Sequence, residues 1–391
     1  MINPISSYRL NPSRAIYVTG EINDEMVANL TPEILLLQSK SRDPITVYIN
    51  SPGGFPRSAE KILALLNLSD QDQAAPCWII TAVTLQAASA AADLLASGDY
   101  SIAFPSSTIL HHGVRRFDTT PSTLESTSLL SEYLRLSNDA YAMQLAQKIE
   151  NRFTFRFFSV RDEFAALRAS EPDTEMSDLD CFVRIIREKL SKDAKQIWDK
   201  AIARNRRYVD LINSATEKSA QISETQTPLQ FQSVLIKAIV DFEIKESEAK
   251  DFRFGGMRRL VDDFYLLDEA LSSNAGKRLE KWCKSFGKLV LSKEQEHEID
   301  LITEEEARQE RLVEIGRPIL QPMIAFFIAL CHALQEGENE LTAIDAYWLG
   351  LVDEVVGEDL WTIRLMEEFE PDPPEEAPRS GDTDPQAADA R

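Results

Sequence analysis

Two hydrophobic periods alternate over the first 150 residues. β-Branched runs at 15–19 (Ala-Ile-Tyr-Val-Thr) and 45–50 (Ile-Thr-Val-Tyr-Ile-Asn) have the composition of strands. Between them Met26, Val27, Leu30, Ile34, Leu35 and Leu37 recur at helical spacing. A second helical pattern (Ile62, Leu63, Leu65, Leu66, Leu68) follows the turn Ser51-Pro52-Gly53-Gly54. Strands are then predicted at 78–81, 100–104 and 108–111, with a helix over 90–96. This alternation predicts an α/β unit with mostly parallel strands.

Beyond residue 150 the period changes. Phe182, Ile185, Ile186 and Leu190 keep helical spacing, as do Trp198, Ile202, Val209 and Ile212. Val234, Leu235, Ala238, Ile239 and Phe242 repeat it, and so do Leu260, Phe264, Leu266 and Leu267. An all-helical segment of about six helices is therefore predicted over 150–317, with 214–227 polar enough for a linker. An apolar helix at 319–334, a glycine stop at Gly350 and a strand at 351–356 follow. From 371 the chain is rich in Pro, Asp, Glu and Ala without apolar periodicity, which predicts a disordered acidic tail. The expected organisation is 1–149 α/β, 150–317 helical, 318–369 α/β again, and 370–391 tail.

Charge and cysteine content narrow the function. The 64 acidic and 42 basic side chains leave a net charge of −22, which repels phosphate backbones. No long basic stripe offsets it, so nucleic acid is not an expected partner. The four cysteines are widely spaced without a CxxC pair, which fits a reducing compartment with no disulfide framework. No apolar run follows a basic start, so no secretory signal is expected. The stretch at 319–334 is broken by Gln321, Pro322 and His332, so neither is a membrane span. Gly255-Gly256 lacks the Lys-Ser/Thr context of a phosphate-binding loop. A cytoplasmic chain without metal or cofactor is expected.

Three polar features interrupt the apolar α/β pattern. The pair Gly53-Gly54 at a strand end is either a plain turn or a loop whose backbone approaches a ligand closely. Ser89, in Gln86-Ala87-Ala88-Ser89-Ala90-Ala91, opens a helix after a strand. It is either an N-cap or a nucleophile with room around its hydroxyl, the next N–H (Ala90) then holding an oxyanion. His111-His112 closes a strand, and adjacent strand residues face opposite ways, so one of them at most can serve a given site.

Together these segments resemble the proteolytic subunit of the Clp protease. The resemblance rests on Tyr17 to Glu25, on Val47 to Gly54, on Gln86 to Ser89 with Leu94 to Gly98, on Pro105 to His112, and on Thr342 to Val355, in the family's order. It covers the two α/β parts, about half the chain. It implies a ClpP/crotonase-type spiral of βαβ units, here interrupted by an all-α insertion, and a serine endopeptidase acting on peptides or proteins. Ser89 falls on the nucleophile, His112 on the general base, and Glu338 on the family's aspartate, with Asp345 as fallback. The oxyanion donors would be the N–H groups of Gly54 or Gly53 and of Ala90. A homo-oligomer is implied, and a regulatory protein or ATP-driven unfoldase is the partner to consider. The sequence departs from the family at Leu85 and Ala91, where glycine is usual, and most of all in the insertion, which enters at the family's helical handle. Leu85, Ala91 and the glutamate at 338 in place of the family's aspartate favour the alternative of a non-catalytic scaffold or regulatory subunit. A crotonase-type acyl-CoA enzyme is a third reading, disfavoured by the serine–histidine pair.

Overall fold

The computed structural model describes residues 9–68, 76–115, 123–172, 174–220 and 293–360. The helical patterns expected at 234–242 and 260–267, the Gly255-Gly256 pair and the tail lie outside them.

Strands β1 (Ala15–Thr19), β2 (Ile45–Ser51), β3 (Ile79–Ala88) and β4 (Tyr100–Ala103) are parallel neighbours in that order. Helices α1 (Asp24–Lys40), α2 (Pro56–Leu66) and α3 (Ala90–Ala96) are the crossovers that such parallel pairing requires. Strand β3 serves two neighbours. Its first half pairs with β4, and its second half, Gln86 to Ala88, pairs with β5 (Thr108–His112). The expected strand at 78–81 is therefore only the start of β3. The rest, Ala82 to Ala88, lacks a β-branched run, and its Leu85 faces out while Ala87 and Ala88 are small. β5 pairs antiparallel with β6 (Glu338–Thr342), and the short β7 (Glu354–Val355) closes beside β4. β6 is absent from the sequence reading because Glu-Asn-Glu-Leu-Thr is short and polar. Only Asn339 and Leu341 alternate inward.

The helical part grows from α4 (Leu124–Ser159) and continues through α5 (Asp162–Ser170), α6 (Asp178–Lys189) and α7 (Lys192–Ala220). α8 (Lys293–Asp300), α9 (Glu305–Leu334) and α10 (Ala343–Trp348) follow. α7 runs through Ser214 to Ala220, so the polar stretch expected as a linker begins as helix. The boundaries expected at 149/150 and 317/318 fall inside α4 and α9. No hydrophobic gap separates the two parts, because one continuous core holds Ile49, Leu94 and Val355 together with Phe153, Phe182 and Trp198. Phe153 stacks on Phe327 with ring centroids 4.5 Å apart, and Trp198 meets Phe326 edge-on at 4.9 Å. No helix among the described residues is long and apolar enough to cross a membrane.

Buried arginines on α4 fasten the chain's last strand to this frame. Arg152 donates from Nε to Asp353 Oδ2 (2.7 Å), from Nη1 to Ala96 O (2.8 Å) and from Nη2 to Gly98 O (2.5 Å). Arg156 donates to the carbonyls of Tyr347 (2.8 Å) and Val352 (2.9 Å), with its guanidinium 3.4 Å from the Tyr347 ring centre. These cations lie almost wholly out of water and are tolerated because their donors meet carbonyls and the Asp353 carboxylate.

Candidate active site

The C-terminal ends of β2, β3 and β5 converge, the usual place for a site on a parallel sheet. Ser89 is the hinge between β3 and α3. Its N–H donates to Leu110 O on β5 (2.8 Å), and its own carbonyl accepts from Ala92 and Asp93. This geometry forces φ = 55° and ψ = −127° on Ser89, the one positive-φ residue other than glycine among those described. Such a backbone costs on the order of 1–3 kcal/mol, and its chemical effect is to hold a side chain clear of both flanking elements.

Gly53 explains why the hinge fits. A Cβ on Gly53 would stand 2.4 Å from Ala88 O and 2.8 Å from Ser89 Cβ, and the residue has φ = +93°. The glycine turn therefore lies directly against the serine. The Gly53 N–H is engaged by Ser51 Oγ (3.0 Å), whose own hydroxyl donates to Gly20 O (2.6 Å). The N–H groups of Gly54 and Ala90 have no acceptor among the described residues, and both residues face the cavity.

That cavity, about 240 Å³, is lined by Ser89, His111, His112, Asp93, Tyr141 and Gln335 among others. Its polar groups come from α3, β5, α4 and the end of α9. His112 Nδ1 lies 2.6 Å from Gly113 O, which fixes that nitrogen as the donor and leaves Nε2 as the basic one. His111, the next residue back along β5, also touches the cavity but is buried. Burial, with His112 and Lys148 nearby, pushes its pKa down to about 4, so it stays neutral.

Glu338 is the direct cross-strand partner of His112 in the β5–β6 ladder. Opposed side chains of an antiparallel pair share a face with Cβ atoms about 5 Å apart. The Glu338 carboxylate is nevertheless bound by the Arg115 guanidinium rather than by His112. Both side chains are largely exposed, so the ion pair contributes at most about 1 kcal/mol and is easily exchanged. Asp345 is occupied differently. It caps α10 through Thr342 (2.7 Å) and accepts from Ser191 N–H (2.8 Å), which makes it structural. Leu85 is 58% exposed, and Ala91 lies wholly in the core. Neither side chain lines the cavity.

Asp93 is a cavity residue that the sequence reading missed. It lies one helical turn beyond Ser89, so the two share a face of α3. Burial pushes its pKa up, against the opposite pull of Lys148 and His112. The sequence signal was an acid within an otherwise apolar helix, Ala-Ala-Ala-Asp-Leu-Leu-Ala. No cluster with the makings of a metal site occurs among the described residues.

Residues 4–151 match the family model of the Clp protease. The matched segment takes in Gly53, Gly54, Ser89, Ala90 and His112, and ends within α4, before Glu338. Among solved structures, a ClpP1 point mutant from Listeria monocytogenes is similar at 21% identity with a TM-score of 0.29. The likeness covers 35% of this chain and 73% of that one.

Proposed function

We propose that this chain, whose residues 4–151 match the Clp protease family model, is a serine peptidase with Ser89 as nucleophile and His112 as general base. The observation that supports it most is the left-handed backbone of Ser89, seated against Gly53 in a cavity that His112 shares. A fold with no use for the hydroxyl has no reason to keep a serine in that conformation. Ser89 Oγ attacks the scissile carbonyl carbon while its proton passes to His112 Nε2. The N–H groups of Gly54 and Ala90 receive the oxyanion. Collapse breaks the C–N bond, and the amine leaves with the proton from His112. Water then hydrolyses the acyl-enzyme by the same exchange in reverse.

We assign Glu338 as the acid of this triad. Its carboxylate leaves Arg115 for His112 Nδ1 when the imidazole becomes charged, and catalytic hydrogen bonds commonly tighten only with substrate bound. Peptides or proteins are the substrates, and the working form is a homo-oligomer. A regulatory protein, or an ATP-driven unfoldase, is the partner class to test on the helical part.

The Arg115–Glu338 pairing favours a second reading, a non-catalytic scaffold in which the acid never reaches the histidine. Intact-mass spectrometry after incubation with a fluorophosphonate separates the two. A peptidase gives one adduct, lost in Ser89→Ala and in His112→Ala. A scaffold gives none on the wild type.

A further inference from the structure

The candidate site holds one carboxylate that the hydrolysis mechanism does not use. Asp93 lines the cavity one turn beyond Ser89. Among the described residues its carboxylate accepts no hydrogen bond and forms no ion pair. No neighbouring cation pairs with it directly. Arg115 holds Glu338, and Lys148 Nζ approaches the main-chain oxygen of Asp93 at 3.5 Å rather than its carboxylate. The rest of the wall has an apolar half, Pro52, Pro56 and Val114, against which a methylene stem can lie. At about 240 Å³ the cavity holds far more than the ~30 Å³ share of one water.

Resting on the peptidase reading above, we propose that Asp93 is a specificity-determining residue that selects substrates with a basic side chain, lysine or arginine, next to the scissile carbonyl. A half-buried carboxylate with no partner is costly until a cation reaches it. A carboxylate in the pocket beside a nucleophilic serine is how one well-known peptidase fold sets a basic preference. Burial holds the Asp93 carboxyl pKa up and the Lys148 ammonium pKa down, so each is biased toward its neutral form when the cavity is empty. An incoming cation reverses that bias for the acid. Arg115, also on the wall, is neutralised by Glu338 while the guest first enters, before Glu338 turns to His112.

The test uses the full chain with diphenyl phosphonates of N-capped lysine and N-capped leucine. In each, Ser89 Oγ bonds to phosphorus, one P–O bond breaks, and phenol leaves with the serine proton carried by His112. The simple fluorophosphonate, with no such side chain, is run in parallel. The lysine phosphonate is expected to inactivate the wild type at least tenfold faster than the leucine one. Asp93→Asn should bring that ratio to one or below, chiefly through weaker initial binding rather than a slower bonding step, and Asp93→Glu should keep it above one. If the fluorophosphonate labels Ser89 while the wild-type ratio is one or less, or is unchanged in Asp93→Asn, the assignment of Asp93 is overturned and the peptidase reading stands. If no probe labels Ser89, the peptidase reading falls and the assignment with it.

Discussion

Gly53→Ala tests whether the glycine turn is what seats the nucleophile. The substitution adds one methyl group and no charge, so its effect comes from geometry alone. At φ = +93° an alanine is strained by about 1–3 kcal/mol whatever surrounds it. The new Cβ would stand 2.4 Å from Ala88 O and 2.8 Å from Ser89 Cβ, where such atoms are not found closer than 3.0 Å. Either the turn or the Ser89 hinge must therefore retreat by at least about 0.6 Å. Both sides are hydrogen-bonded, Gly53 to Ser51 Oγ and Ile22 N–H, and Ser89 to Leu110, Ala92 and Asp93, so the displacement is shared and reaches the serine. A misplacement near 1 Å at a reacting centre costs about 10²-fold in rate. We expect Gly53→Ala to label with fluorophosphonate about 10²-fold more slowly, and urea unfolding to show a loss of at least about 2 kcal/mol. Gly357→Ala is the control. That glycine has φ = +81° with nothing within 4 Å of a built Cβ, so it carries strain without the clash and should label like the wild type. Labelling of Gly53→Ala within threefold of wild type would refute the claim that this contact positions the serine.

His111 should make stability depend on pH. With a folded-state pKa near 4 against 6.5 unfolded, it takes up its proton only on unfolding, so acid favours the unfolded chain between pH 6.5 and 4. The loss over that window is about 3 kcal/mol, and the difference between wild type and His111→Leu in urea midpoints at pH 7 and pH 4.5 should report it. Glu338→Gln should slow fluorophosphonate labelling by 10² or more and Arg115→Gln should speed it, if the carboxylate moves from one to the other. If neither rate changes, the Gly113 carbonyl alone orients His112. Arg152→Met removes the cation facing the fully buried Asp353 and should lower stability by about 3–5 kcal/mol, read by urea unfolding. A change under 1 kcal/mol would show that the pair and its two carbonyl bonds are dispensable.

Much of the α/β frame was readable because parallel strands and their crossover helices carry different periods. Val47 and Ile49 alternate inward, whereas Leu30 and Ile34 recur one turn apart. The second half of β3 was not readable. From Thr84 to Ala88 the residues lose the β-branched inward alternation, with Leu85 facing out and alanines at 87 and 88. β6 was missed for a related reason. As a short antiparallel strand with one side in water, it spends only Asn339 and Leu341 on the interior. Ser89 and His112 stood out as polar interruptions, but no pattern in a sequence encodes φ = 55°. The partners of Glu338 and Asp345 are settled by contacts with Arg115 and Ser191, far away in the chain, so their environments follow from tertiary packing alone.

The helical part is attached where movement would reach the chemistry. α4 supplies Tyr141 to the cavity, and Asn138 Oδ1 on the same helix accepts from Val114 N–H (2.6 Å) just past His112. Fourteen residues further along α4 from Asn138, Arg152 binds the carbonyls of Ala96 and Gly98 at the far end of the helix that Ser89 begins. One rigid element thus touches both the histidine strand and the nucleophile helix. Its C-terminal half is packed in the aromatic cluster of Phe153, Phe157, Phe182 and Trp198, which α6 and α7 share. Close-packed interiors transmit small displacements instead of absorbing them. A shift of α6 or α7 against that cluster would therefore tilt α4 and alter the separation of His112 from Ser89, although no residue of α6 or α7 lines the cavity. The helices beyond residue 150 thus share one packed core with the cavity walls, and α4 is the element that joins them.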